Sequence, residues 1–138
     1  MINFNFETEF SLESKDIIST WISEVIINED CKEGELNYIF CDDEYLHKLN
    51  IEFLDHDTLT DIISFDYSVG KELHGDVFIS VDRVKDNAED LDVNFNDELH
   101  RVMIHGVLHY CGYKDKSDEE SKVMRAKEDF YLNKLETT

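Results

Sequence analysis

The most informative segment of the chain is His105–Asp115, with the sequence HGVLHYCGYKD. Its two histidines stand four residues apart, a glycine follows three residues after the second, and an aspartate ends the segment. On an α-helix each residue turns by about 100°, so His105 and His109 share one face and lie one turn apart. Both imidazole rings can then reach a single ion.

The residues around the two histidines predict a buried helix over about 96–113. The flanking side chains are apolar: Val102, Met103, Ile104, Val107 and Leu108. Gly112 is expected to end the helix, because glycine readily takes the left-handed conformation there. The turn would bring Asp115 to the same point. Two histidines and one carboxylate leave a coordination position open, as in catalytic zinc sites. The alternative is that both histidines merely hydrogen-bond within the helix.

Position 106 separates this segment from the zinc peptidases. Those enzymes carry the motif H-E-x-x-H, in which the glutamate is the general base. Gly106 cannot accept a proton, so a peptidase would have to use Asp61 or Asp76 instead. The general chemistry predicted for the site is metal-assisted hydrolysis, with a metal-bound water as nucleophile and no side chain assigned as the base. Cys111 is expected to be a core residue rather than a ligand.

The rest of the chain alternates between strand and helix patterns. Period-2 and β-rich runs predict four strands, at about 2–6, 36–41, 61–67 and 74–81, of which the last two form a hairpin. Helical patterns predict helices at about 12–30, 42–54, 82–91, 96–113 and 117–135. Ser11 or Ser14 is expected to cap the first helix. The inward residues predicted for two of the helices are Tyr45, Leu46, Leu49 and Phe53, and Val123, Met124, Phe130, Tyr131 and Leu135. Together these predict one α+β domain over 1–138, a four-stranded mixed sheet packed against helices with the histidine helix central.

The composition limits the class of protein and its expected location. The chain has 138 residues, 41% of them hydrophobic, and no apolar run approaches the roughly 20 residues of a membrane span. The first ten residues lack the pattern of a signal peptide, so a cytoplasmic location is expected. Three cysteines, an odd number without a C-x-x-C motif, predict reduced thiols.

The net charge and the local distribution of basic residues give opposite indications about a nucleic-acid substrate. The formal net charge of −20 disfavours phosphate binding in general. However, five of the thirteen basic residues lie close together: Lys114, Lys116, Lys122, Arg125 and Lys127. They form either a local positive patch or an ion-paired helix surface. Lys114, Lys116 and Arg101, which precedes His105 by one turn, are the predicted phosphate contacts.

Three segments resemble one known family. HGVLHYCGYKD resembles the H-G-x-L-H-L-x-G-Y-D-H signature of the YbeY family, and the segments 49–67 and 75–84 resemble its two other motifs, in the same order. The resemblance implies a zincin-like α+β fold and a single-strand-specific, metal-dependent endoribonuclease. Such an enzyme acts in 3′-end maturation of small-subunit rRNA and in ribosome quality control. The resemblance also implies one divalent ion, with zinc expected, and no small-molecule cofactor. The implied partners are rRNA and the ribosome or ribosomal proteins.

By position, His105 and His109 match the first two metal histidines of the family, and Asp115 stands where the third is found. An aspartate adds a negative charge, which could widen the choice of metal toward manganese or iron. Lys114 replaces the family's aspartate, and Leu54 replaces an arginine that is often invoked in phosphate contact. Two alternatives stay open: a non-catalytic ribosome-associated factor with a vestigial or structural metal site, and, less favoured, a metallopeptidase. No sequence feature predicts the oligomeric state.

Overall fold

The computed structural model describes residues 1–136, and this range contains four strands and five helices. In chain order they are β1 (Ile2–Phe6), α1 (Lys15–Asn28), β2 (Lys32–Cys41), α2 (Asp43–Leu54), β3 (Ile62–Asp66), β4 (Glu72–Ser80), α3 (Val81–Leu91), α4 (Phe95–Tyr110) and α5 (Asp118–Glu136). The α+β class and the predicted order of the elements are confirmed. The main shift in boundaries is at β2, which begins at Lys32 rather than near residue 36.

The four strands form one mixed sheet in the order β1-β2-β4-β3. β1 pairs with β2 in parallel, and β2 pairs with β4 in parallel. The first pairing requires a crossover, which α1 provides, because parallel neighbours cannot be joined by a tight turn. β3 runs antiparallel to β4, as the predicted hairpin requires. The sheet therefore ends in β3, whose first residues approach α4.

One face of the sheet is covered by α1 and α4, and the main hydrophobic core lies there. Alternate residues of β2 point into it, among them Tyr38 and Phe40, which are fully buried. The buried hydroxyl of Tyr38 donates to the carbonyl of Met103, 2.9 Å away, so its burial leaves no unsatisfied polar group. Trp21 of α1 donates in the same way to the carbonyl of Tyr131 of α5, also at 2.9 Å. The first bond joins α4 to the sheet, and the second joins α5 to α1.

The opposite face carries a smaller core under α2. Leu46 packs there with Cys41 and Ile63. As predicted, Tyr45 and Phe53 face the sheet, where their rings pack against Phe78 and Phe65, but the two residues remain 38% and 58% exposed. A single helix on this face covers only a narrow strip of the sheet, so its outer apolar residues are not buried.

Two predictions for the other helices also need correction. In α5, Met124 and Tyr131 are buried as predicted, but Val123 and Phe130 are about half exposed. Ser14 does precede α1, yet its side chain forms no capping hydrogen bond and its φ of 57° is left-handed.

Cys111 packs against the main core, as expected for a structural thiol. No helix within residues 1–136 is long and apolar enough to cross a membrane.

Candidate metal centre

Helix α4 places two imidazole rings on the same side. It begins after Asn94, whose side chain accepts a hydrogen bond from the backbone N–H of Asp97 at 2.9 Å. Most of the helix is buried, but His105 and His109 are only partly covered. Their Nε2 atoms are 2.9 Å apart. The predicted pairing of the two rings at one point is therefore present.

The turn after α4 returns the chain to these rings. Gly112 has a φ of 105°, in the region that favours glycine. Its N–H donates to the carbonyl of His109 at 3.0 Å, and the N–H of Tyr113 donates to that of Leu108 at 3.1 Å. These two bonds define a Schellman motif. Two residues further on, the Oδ2 atom of Asp115 lies 3.2 Å from His105 Nε2 and 3.5 Å from His109 Nε2.

His105, His109 and Asp115, here called the ligand cluster, direct three acceptor atoms at one point. His105 Nδ1 lies 2.6 Å from Glu128 Oε2, and His109 Nδ1 lies 2.9 Å from the carbonyl of Tyr113. Both partners can only accept when the glutamate is ionised, so each Nδ1 carries the proton and each Nε2 presents a lone pair. Three acceptors at this separation repel one another unless a proton or a metal ion lies between them.

The spacing of these atoms suits a small divalent ion. Tetrahedral coordination with bonds of about 2.0–2.1 Å separates ligand atoms by about 3.3 Å, and the three observed separations are 2.9, 3.2 and 3.5 Å. Within residues 1–136 this is the group of histidine, cysteine and acidic residues close enough to share an ion. Two imidazoles and one carboxylate fit zinc or a neighbouring transition metal, and they leave the fourth position free.

Glu128 is the most important residue of the site that the sequence analysis missed. It lies on α5, only 4% exposed, and its second oxygen accepts from Arg101 Nη1 at 2.9 Å. Helical spacing would have indicated it, because Glu128 falls four residues after Met124 and three before Tyr131, which are buried apolar residues of this helix. An acidic residue on the inner face of a helix requires a buried partner.

The environment of His105 is negative. Burial by itself would lower its pKa, but the hydrogen bond and charge of Glu128, together with the charges of Asp115 and Asp61, raise that pKa above its ordinary value. The same charges that hold a proton on the ring would attract a metal ion in its place.

A cleft of about 580 Å³ opens beside the ligand cluster, between α4, α5 and the start of β3. Asp61 and Glu98 line it in addition to the cluster. Burial raises the pKa of both carboxyl groups, and the charge of Asp61 raises that of Glu98 further. Glu98 lies two helical turns before His105, so the periodicity of α4 would have placed it on this face.

The three predicted phosphate contacts lie in different surroundings. Arg101 lines the cleft, but its guanidinium donates to Glu128 at 2.9 Å and to Asp129 at 2.7 Å. Lys114 and Lys116 are exposed on the loop on either side of Asp115. The basic residues that α5 contributes to the cleft are Lys122 and Arg125, which the sequence analysis recorded only as part of a basic stretch.

Gly106 lies against the sheet. A Cβ atom at this position would be 3.2 Å from Ile62 Cδ1 and 3.3 Å from Val77 Cγ1, which is closer than comfortable packing. A glutamate here would be directed into the contact between α4 and the sheet instead of toward the ligand cluster. The glycine is therefore explained by helix packing, and the peptidase general base has no place at this position.

Comparison with known proteins identifies the family of this chain. The family described as Endoribonuclease YbeY matches residues 2–136. The chain belongs to the YbeY family. It is 65% identical to the Endoribonuclease YbeY of Flavobacterium johnsoniae over 129 residues, which covers 94% of this chain and 93% of the relative. It is 59% identical to the Endoribonuclease YbeY of Flavobacterium psychrophilum, covering 94% and 92%.

A solved structure shares this fold. The solution structure of TM1509 from Thermotoga maritima is similar to 98% of this chain with a TM-score of 0.70 and 26% sequence identity, covering 89% of that protein. Membership of the YbeY family supports an endoribonuclease, a hydrolase, and the predicted family is confirmed. Leu54, at the position of the family's arginine, is 44% exposed at the end of α2.

Proposed function

We propose that this YbeY-family chain is a metal-dependent endoribonuclease that cleaves single-stranded RNA in 3′-end maturation of small-subunit rRNA and in ribosome quality control. The observation that carries the proposal is the convergence of His105 Nε2, His109 Nε2 and Asp115 Oδ2 within 3.5 Å of one another. The names of the relatives support the nuclease activity. Metal dependence and the rRNA substrate are the parts of the proposal that require experiment.

Each residue of the site has a defined task. His105, His109 and Asp115 would hold one divalent ion, with zinc expected from the donor set. Bound there, the ion would supply Lewis acidity, which activates water and stabilises negative charge on a phosphoryl oxygen. Glu128 and the carbonyl of Tyr113 keep both Nδ1 atoms protonated and the rings oriented. Asp115 adds a negative charge where a histidine would be neutral, which favours retention of a cation and admits manganese or iron as alternatives.

The acidic surface bears on the partners. A net charge of −20 repels RNA at long range. We therefore propose that the chain meets its rRNA in the cytoplasm on the ribosome, where a ribosomal protein with a basic face can supply the favourable charge. The RNA itself would be held locally, at the cleft beside the ligand cluster.

The direct test is cleavage of a small-subunit rRNA precursor by the purified chain. We expect metal-dependent cleavage that stops on chelation and returns when zinc or manganese is added. The double variant His105→Ala/His109→Ala should be inactive, whereas Lys48→Ala, an exposed change on α2, should behave as wild type. Full activity of the double variant would refute the proposal. Inactivity of the wild-type chain, with intact binding to a ribosomal protein, would favour the non-catalytic alternative.

A further inference from the structure

The basic residues between Lys114 and Lys127 separate into groups when the chain folds. Lys127 turns away from the cleft and donates to Glu29 at 3.1 Å. Lys122 and Arg125 instead line the cleft from α5. They are three residues apart on this helix, so they lie on one face with Cβ atoms about 5–6 Å apart. They form what is called here the α5 wall.

The α5 wall has a fixed position relative to the ligand cluster. The hydroxyl of Ser121, the residue before Lys122, donates to the carbonyl of Asp115 at 2.8 Å. Ser117 and Glu120 cap the start of α5 through two further bonds, at 3.0 and 3.1 Å. The first turn of α5 is therefore tied to the loop that carries Asp115, and Lys122 follows directly after that turn.

The cations of the α5 wall are available to a ligand. Within the described part of the chain, Lys122 has no ion-pair partner, and the nearest carboxylate oxygen to Arg125, on Glu128, is 3.9 Å away. The side chain of Arg125 is 59% exposed. Arg101 differs, because two close carboxylates already occupy its guanidinium and its side chain is only 21% exposed.

The other sides of the cleft are acidic. Asp61 and Glu98 lie toward β3 and α4, and the buried carboxylate of Glu128 lies below. A phosphodiester chain carries one negative charge per nucleotide, so this side repels it while the α5 wall attracts it. A strand that reaches the ligand cluster therefore has one favourable path across the cleft.

We propose that the RNA strand lies along α5, with Lys122 and Arg125 in contact with two neighbouring phosphates next to the one that is cleaved. This rests on the nuclease function proposed above and specifies how the strand is oriented at that site. The phosphate contacts are then assigned to the α5 wall instead of Arg101, Lys114 and Lys116, which the sequence predicted.

The test compares two double variants that remove the same amount of charge. Lys122→Ala/Arg125→Ala removes the α5 wall, and Lys15→Ala/Lys48→Ala removes two exposed lysines of α1 and α2. A short fluorescein-labelled single-stranded RNA is titrated with each full-length protein under chelation, which prevents cleavage, and fluorescence anisotropy gives the affinity at several KCl concentrations. Steady-state cleavage with metal present gives kcat and KM, and circular dichroism checks folding.

Each lost phosphate contact should reduce the slope of log affinity against log salt by about 0.7, so the α5-wall variant should lose about 1.4. Raising salt from about 50 to 200 mM should then weaken its binding about sevenfold less than it weakens wild type. KM should rise with little change in kcat, and the control variant should match wild type. RNA binding by wild type with the same slope and KM in the α5-wall variant would overturn this inference alone. Absence of RNA binding and of cleavage by wild type would overturn both it and the proposed function.

Discussion

Two glutamates far apart in sequence support the ligand cluster in different ways. Glu128 of α5 bonds directly to the ring of His105 and to Arg101. Glu29, at the end of α1, accepts from the hydroxyl of Tyr113 at 2.6 Å, from that of Tyr131, and from Lys127. Tyr113 in turn provides the carbonyl that receives His109 Nδ1–H. Glu128 thus orients a ligand ring through one bond, whereas Glu29 secures the path of the chain that carries the ligands.

This difference separates affinity for metal from stability of the fold. A hydrogen bond to a ligating imidazole sets the tautomer and basicity of the ring, so loss of that bond should mainly reduce metal affinity. Removal of a carboxylate that joins three segments should mainly lower the free energy of unfolding, because several donors then lose their partner. The following predictions test this difference, beginning with the loss of a residue of the ligand cluster itself.

Asp115→Ala should have the largest effect, because it removes a ligand atom outright. We expect metal affinity to fall by more than the about 100-fold that loss of an outer hydrogen bond can cause. Asp115→His should retain a bound metal, since it restores a nitrogen donor at this position. Elemental analysis and competition with a chromophoric chelator measure both. A stoichiometric, tightly held metal in Asp115→Ala would show that the third ligand has been assigned incorrectly.

Glu128→Gln should weaken metal binding by about 10–100-fold. The amide keeps the shape but leaves one of the two donors, His105 or Arg101, without an acceptor. Asp129→Asn is the matched control, because Asp129 also bonds Arg101 and loses the same charge but does not contact His105. Chelator competition measures the affinity of each variant. Equal affinities in the two variants would remove the special role of Glu128.

Glu29→Gln should act mainly on the fold, lowering the free energy of unfolding by about 1–3 kcal/mol as hydrogen bonds to a charged group are lost. Its effect on metal affinity should be smaller than that of Glu128→Gln. Urea unfolding of the chelated protein measures the first quantity, with Glu24→Gln on the exposed side of α1 as control. If Glu29→Gln lowered metal affinity as much as Glu128→Gln and left stability unchanged, the proposed difference between the roles of the two glutamates would be wrong.

The smallest effect concerns pH. Burial alone would raise the pKa of Glu29, but hydrogen bonds from Tyr113, Tyr131 and Lys127 lower it below the usual 4.5. A depressed pKa contributes stability that is complete above the unfolded value and is lost as pH falls through the folded value. The gap in unfolding free energy between wild type and Glu29→Gln should therefore be constant near neutral pH and shrink below about pH 4.5. Urea titrations across this range measure it, and a gap that widens on acidification would reverse the assigned sign.

Much of the fold could be predicted because its signals are local. The strand alternation of β1, the apolar helix around His105 and the turn at Gly112 each depend on a few neighbouring residues. Exposure was predicted less well. Tyr45, Phe53, Val123 and Phe130 follow helical periodicity yet remain 38–58% exposed, since α2 and α5 each pack along a strip narrower than their apolar stripe.

The ligand cluster could be predicted from local sequence, because His105, His109 and Asp115 lie within eleven consecutive residues and a helix followed by a glycine turn brings them together. The surroundings of that cluster depend on how distant elements pack. Glu128, Asp61 and the α5 wall come from separate elements, and their distances to His105 depend on how α5 and β3 pack against α4. Local periodicity states which face a residue occupies, but not which other face it will meet. The proximity of these three side chains is therefore encoded along the chain, whereas the groups that orient and surround them arise from packing.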